Sequence, residues 1–309
     1  MVAIFIPVGP GSREIERLRD LLESIKAVEP TLKALLLIDD APRPRDLDKL
    51  AQEQGFQSTT VLPGPRRPYF QRGFSSLTSM SLQALSWFVE STTAKAMVKM
   101  DTDALAIKPF SHRILTFHAK SPDFGMVGDT DRTADGGILR YADVLYSSVR
   151  RRWRWGLRTT VTSFLRNSFK TGHQRNLMKQ AYAHGYTAGE LCQGGAYSIS
   201  RICALKMADC GLLIDPDLWS FTDLGWSEDL LMTAYCYITG MKHCVDQDII
   251  CSAYKQLRYP PEELQVLPFA LIHSIKDSAT QSESRIRSFF KEQRERGVRG
   301  ERDAGVRNE

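Results

Sequence analysis

The chain has 309 residues, of which 42% are hydrophobic and 25% charged, and carries a formal net charge of +5. That length allows one large domain or two small ones with a sizeable core, and the charge is too small by itself to imply nucleic acid. No apolar run approaches the ~20 residues that span a bilayer, and Met1 to Pro7 lacks the charged start and long apolar core of a signal peptide; the six cysteines contain no CxxC pair, so reduced thiols in a cytoplasmic protein are expected rather than a zinc site.

Val2 to Ile6 is an apolar, β-prone run, broken by Pro7-Val8-Gly9-Pro10-Gly11. Ser12 is placed to cap a helix in which Ile15, Leu18, Leu21, Leu22 and Ile25 recur at helical spacing until Pro30. Ala34 to Ile38 is apolar on every side, as in a parallel strand covered on both faces, and ends at Asp39-Asp40. A helix over Arg45 to Gln54 and a strand over Ser58 to Val61 follow. After the Pro/Gly/Arg loop Leu62 to Gly73 comes a third helix with Leu77, Met80, Ala84, Leu85 and Phe88 on one face. It leads to Ala96 to Met100, a buried-strand run that stops at Asp101-Thr102-Asp103. This alternation predicts an α/β fold with a doubly wound, mostly parallel sheet. Pro7-Val8-Gly9, Asp39-Asp40 and Asp101-Thr102-Asp103 then lie at three strand ends along one edge, where ligands of such sheets collect.

The second half changes character. Phe124 to Val127 reads as a further strand. Arg140 to Gly185 reads as a basic helical insertion, with Arg150, Arg151, Arg152, Arg154, Arg158, Arg166, Lys170, Arg175 and Lys179 against one acid, Asp143, and with Trp153, Trp155, Phe164 and Phe169 interleaved. Gly194-Gly195 forms a turn entering a strand, with a helix from Arg201. Ser227 is placed to cap a helix over Glu228 to Thr239 that ends at Gly240. Leu271 to Lys276 follows a proline-marked stretch. Beyond Asp277, Ile286, Phe289 and Phe290 support one amphipathic helix, and Glu292 to Glu309 reads as solvated or disordered.

Several of these residues have chemical readings. Two carboxylates one residue apart at a strand end suit a divalent cation that neutralises a diphosphate, although the same tripeptide also suits a solvated turn. Glu228 and Asp229 are either acids favoured by a helix N-terminus or a catalytic pair held there. His273, between apolar neighbours, is either a core histidine or a ligand; Lys276 is either a surface lysine or a phosphate contact. Arg66, Arg67 and Arg72 precede a helix start and suit either a diphosphate or a solvated loop.

The ordered set Ile4-Phe5-Ile6-Pro7-Val8, Ile38-Asp39-Asp40, Asp101-Thr102-Asp103, Gly194 to Ser200, Gly225-Trp226-Ser227-Glu228-Asp229 and His273 resembles the metal-dependent GT-A glycosyltransferases. It is similar to their inverting, fringe-like and galactosyltransferase-like members. The resemblance implies one GT-A domain over residues 1–277, with a nucleotide-sugar-binding half (1–103) and an acceptor and catalytic half (104–277) holding the basic insertion at about 140–185. A C-terminal helix and a disordered tail are expected over 278–309. It implies a hexosyltransferase that moves a sugar from a nucleotide-diphosphate sugar, UDP-linked by expectation, to a glycan or lipid-linked hydroxyl with Mn²⁺ or Mg²⁺. Pro7, Val8, Asp39 (Asp40 as alternative), Arg72, Asp101 and Lys276 would bind the donor, with Asp39 at the nucleobase. Asp101, Asp103 and His273 would hold the metal, Asp229 would be the base with Glu228 beside it, and Gly194, Gly195 and Trp226 would meet the acceptor.

Two features depart from the pattern: Gly-Pro-Gly follows the first Pro-Val, and Ser227 stands where the galactosyltransferase type has glycine. A sugar nucleotidyltransferase, suggested by Gly9-Pro10-Gly11-Ser12-Arg13, is the nearest alternative. A module binding an anionic membrane or nucleic acid through Arg150 to Lys179 is a second. In the enzyme reading that segment walls the acceptor site and allows peripheral contact with the inner face of a membrane, and no nucleic acid partner is expected.

Overall fold

The computed structural model describes residues 1–65, 74–130, 172–187, 190–214, 227–246, 248–251, 257 and 259–305. Strands β1 (Val2–Val8), β2 (Ala34–Asp39), β3 (Thr59–Pro63) and β4 (Ala96–Met100) alternate with helices α1 (Glu14–Val28), α2 (Leu47–Glu53) and α3 (Phe74–Ser91). Then come β5 (Ala104–Ala106), α4 (Ser111–Lys120), β6 (Phe124–Gly128), α5 (Gly172–Ala183), β7 (Ala196–Ser200), α6 (Arg201–Asp209) and α7 (Glu228–Ile238). The last elements are β8 (Lys242–Val245), β9 (Ile250–Cys251), α8 (Pro261–Val266), β10 (Leu271–His273) and α9 (Glu283–Gly305).

The main sheet runs β3-β2-β1-β4-β7-β6-β8 and is parallel except for β7, which is antiparallel to both neighbours. It is therefore the mostly parallel α/β sheet expected. Its first strands are apolar on both sides because each face has its own core. Ala3 and Phe5 pack with Met80, Leu85 and Phe88 of α3, while Val2, Ile4, Ile6 and Val8 pack with Leu18, Leu22 and Ile25 of α1. Winding reverses between β1 and β4, so their carboxyl ends open the crevice in which such sheets bind ligands.

A second, three-stranded sheet, β5-β10-β9, starts one residue after Asp103. In its antiparallel β5–β10 pair His273 lies opposite Ala104. This register carries a histidine from the far end of the chain to the acids at the end of β4.

Some local expectations are corrected. Neither expected serine cap forms. Helix α1 begins after Arg13 without a side-chain cap, and the Ser227 hydroxyl donates to Asp229 Oδ1 instead of accepting from an amide of its helix. Helix α2 begins at Leu47 rather than Arg45, because Asp46 accepts from the Lys49 amide. Beyond Glu292 the chain stays helical to Gly305 rather than disordered, with Glu292, Glu295 and Arg296 exposed. Two contacts with α1 fix it there: Arg294 pairs with Asp20 at 2.7 Å and Glu23 at 3.3 Å. No helix among the described residues is long and apolar enough to cross a membrane. Of the basic insertion expected over 140–185, residues 140–171 lie outside the described residues, as do Arg66, Arg67, Arg72 and Trp226.

Candidate metal and catalytic centre

The turn after β4 is built by backbone first. The Ala104 amide donates to the Asp101 carbonyl at 3.0 Å, the Asp101 amide to the Gly195 carbonyl at 2.9 Å, and the Ile275 amide to the Asp103 carbonyl at 2.9 Å. Three chain segments far apart in sequence are thereby locked together, and their side chains converge. Asp101, Asp103 and His273 each offer a ligand atom, all within 4.8 Å of one another. His273 Nε2 lies 3.1 Å from Asp103 Oδ1, and Lys276 Nζ lies 3.4 Å from Asp103 Oδ2.

The glycine pair sits between this cluster and α7. A Cβ on Gly195 would overlap the His273 ring, and one on Gly194 would press on Glu228 Oε2 and lie 3.3 Å from Asp229 Cβ. Two successive positions without a side chain thus let the histidine and the first turn of α7 approach one backbone segment from different directions. Beside His273, Ser274 is held at φ 80°, the left-handed region, and its buried hydroxyl lacks a hydrogen-bond partner. Strain of that kind collects where a site over-determines its backbone.

The electrostatics separate the acids. Burial works to raise the Asp103 pKa, but His273, then Lys276 and Arg17, outweigh it and hold the carboxylate well below its usual range. For Asp101 burial prevails, so its pKa rises despite Lys99 and His273. Burial pushes Glu228 up to about 7, against the pull of Lys99 and Tyr197. Its Oε1 accepts from the Ser81 and Tyr197 hydroxyls, whereas Oε2 has no hydrogen-bond partner and faces Lys99 Nζ at 3.6 Å.

Lys99 is the residue that sequence reasoning missed. It is wholly buried in β4, donates to Asp101 Oδ1 at 2.7 Å and to the Gly194 carbonyl, and lies over the Tyr197 ring at 5.4 Å. Burial lowers its pKa, but Asp101 and Glu228 outweigh this and keep it protonated. A lysine inside an otherwise apolar strand run was the available signal, since lysine is almost never buried unpaired.

Asp39 does not join this cluster. Its oxygens accept from the Ala41 amide at 3.0 Å, the Arg45 amide at 2.9 Å and the Arg45 guanidinium. Arg45 also donates to the carbonyls of Val8 at 3.2 Å and Gly9 at 2.8 Å, closing the exits of β1 and β2 into one turn. Pro7 and Val8 are correspondingly buried as backbone frame, and Asp40 accepts from Ser76 at 2.8 Å.

No family model and no curated protein matches the sequence. Solved structures do resemble it. One is the galactosyltransferase LgtC in complex with donor and acceptor sugar analogues, at 12% identity over 94% of this chain and 96% of that chain, with a TM-score of 0.48. Another is an active-site mutant of LgtC, at 12% identity over 94% and 95%, with a TM-score of 0.46. Likeness at this level says nothing of the chemistry, which rests on the side chains.

Two carboxylates and an imidazole at the strand ends form a donor set that could hold a divalent cation: hard oxygens with one nitrogen, and Lys99 and Lys276 placed as neighbours that temper the anionic charge. Asp229, part-exposed at the start of α7, keeps Oδ1 engaged by Ser227 and by the Leu230 amide at 3.1 Å. Such a carboxylate is oriented and able to accept a proton from a hydroxyl brought against the glycine turn.

Proposed function

We propose that this protein is a divalent-metal-dependent glycosyltransferase that moves a sugar from a UDP-sugar to a glycan or lipid-linked hydroxyl with inversion at the anomeric carbon. The reading is carried by the convergence of Asp101, Asp103 and His273 at the β1/β4 crevice, with Asp229 across the Gly194-Gly195 turn. When bound there, a Mn²⁺ or Mg²⁺ would supply Lewis-acid stabilisation of the departing diphosphate. Asp103 and His273 would hold it, Asp101 would share the metal or meet the ribose, and Lys276 would meet a phosphate oxygen. Asp229 would take the acceptor proton as the new glycosidic bond forms, and Gly194 and Gly195 would let the acceptor approach the backbone. Because Asp39 is consumed by Arg45, the nucleobase contact falls to Asp40 in this reading.

Asp229→Asn tests the base. It should leave UDP-sugar affinity within about twofold while lowering transfer by roughly 10²–10⁴-fold, the span of a lost general base. Transfer at the wild-type rate removes Asp229 from the mechanism. A retained anomer by NMR removes the inversion.

A further inference from the structure

Helix α9 touches both sources of the candidate metal ligands. Its start is tied to the end of β10: Asp277 Oδ1 accepts the Glu283 amide at 3.0 Å, and Gln281 Nε2 donates to the Ser274 carbonyl at 2.9 Å and the Lys276 carbonyl at 2.8 Å. Its apolar side, Ile286 and Phe290, packs in one cluster with Leu105 of β5 and with Ile272 and Ile275. Its charged side reaches the acidic turn itself. Arg287 Nη2 donates to the carbonyl of Thr102 at 3.1 Å, while Nη1 pairs with Asp20 at 2.6 Å and Nε with Glu283 at 3.0 Å.

Thr102 is gripped from a second direction. Its hydroxyl donates to Glu14, Glu14 pairs with Arg17 at 3.2 Å, and Arg17 makes a forked pair with Glu283 at 2.7 and 2.6 Å. The central residue of Asp101-Thr102-Asp103 is therefore held through its carbonyl by α9 and through its hydroxyl by α1, and Glu283 joins the two holders. A residue between two candidate ligands cannot turn without moving both carboxylates.

We propose that α9 is a strap that pre-sets the geometry of the candidate metal site, with Arg287 as its positioning residue. This rests on the metal-site reading above. Arg287 touches no ligand atom; it acts through the Thr102 carbonyl, as outer partners of metal sites do when they orient the ligands. Arg294 supplies the internal comparison. It pairs with the same Asp20 one helical stretch further on, is as buried as Arg287, and makes no contact with the turn. Both residues secure α9 to α1, and Arg287 alone of the two secures the turn.

The test is Mn²⁺ titration of the full-length protein, read from the electron paramagnetic resonance of free Mn²⁺, with thermal unfolding measured alongside. Arg287→Met should weaken Mn²⁺ binding at least about tenfold, the loss typical of an outer-shell partner. Arg294→Met should lower Tm to a similar degree with Mn²⁺ affinity unchanged. Arg287→Lys retains a cation for Asp20 and Glu283 but lacks the fork that also reaches Thr102, so it should weaken Mn²⁺ binding while staying folded; it decides the matter if the Met variant does not fold. Wild-type affinity in Arg287→Lys, or equal weakening in Arg294→Met, overturns the strap. A wild-type protein that binds no Mn²⁺ overturns the metal site itself, a result distinct from either.

Discussion

Two strand ends of this sheet present acids in nearly the same way, and they do different work. At the end of β2, Asp39 is answered locally: Arg45, six residues on, takes its carboxylate and the carbonyls of β1 together. At the end of β4, Asp101 has one local partner, Lys99 of the same strand, and the turn is otherwise answered from a distance, by Gly195 of the β7 entry, by His273 and Lys276 after β10, and by Arg287 of α9 through Thr102. An acid satisfied by its own turn is a structural fastening. Acids drawn together from several elements, with a histidine and with competing cations at their rim, are candidates for a site.

The contrast can be broken at its strong end first. Asp103→Ala should reduce Mn²⁺ affinity at least about 100-fold, at or beyond the upper end of the 10–100-fold range for merely outer partners, while the fold persists; calorimetric titration reads it, and an unchanged affinity would dissolve the distinction between the two strand ends. Gly195→Ala comes next. The added methyl must displace the His273 ring, so Mn²⁺ binding should fall at least about tenfold. Retained affinity in that variant would place the metal ligands elsewhere.

The weak end predicts the reverse pattern. Burial works to raise the Asp39 pKa, but Arg45 and the two amides outweigh it, so the folded state depends on the ionised form. Asp39→Asn should cost about 1.5–3 kcal/mol in urea unfolding, the range for hydrogen bonds to a charged group, with Mn²⁺ affinity untouched. A change in metal binding without loss of stability would contradict the assignment of Asp39 to the turn.

The smallest effect is a pH dependence at the border of the site. Glu228 is raised to about 7 in the fold, so relative to the unfolded chain its contribution is fully present below about pH 4.5 and is lost as pH rises through 7. Glu228→Gln, which cannot ionise, should therefore gain stability relative to wild type between pH 5 and pH 8. A difference that is flat with pH, or that shrinks, would mean that Glu228 is not held by burial as described.

The same contrast explains what the sequence disclosed. Strands such as Ala34 to Ile38 and Ala96 to Met100 were legible because both faces of the sheet are covered, which leaves a run that is apolar throughout in the first and apolar but for Lys99 in the second. The acids and His273 were legible as candidates because they stand at the ends of apolar runs in one ordered set. The partners of these acids, near or far, were not legible. Nothing local marks Arg45 as the partner of Asp39, and Arg287 is one arginine among many in a charged tail whose composition reads as solvated. Its partners lie 185 and 267 residues away. The Ser227 cap failed for a related reason: Asp229 stands two residues on, and the Ser227 hydroxyl serves that carboxylate rather than the helix.

The most direct test of the account is release of nucleoside diphosphate from UDP-sugars by the wild-type protein and Asp103→Ala, with Mn²⁺ and with chelator. The account predicts release by the wild type with Mn²⁺ alone, abolished by chelator and by the substitution. Equal release with chelator, or from Asp103→Ala, would contradict it.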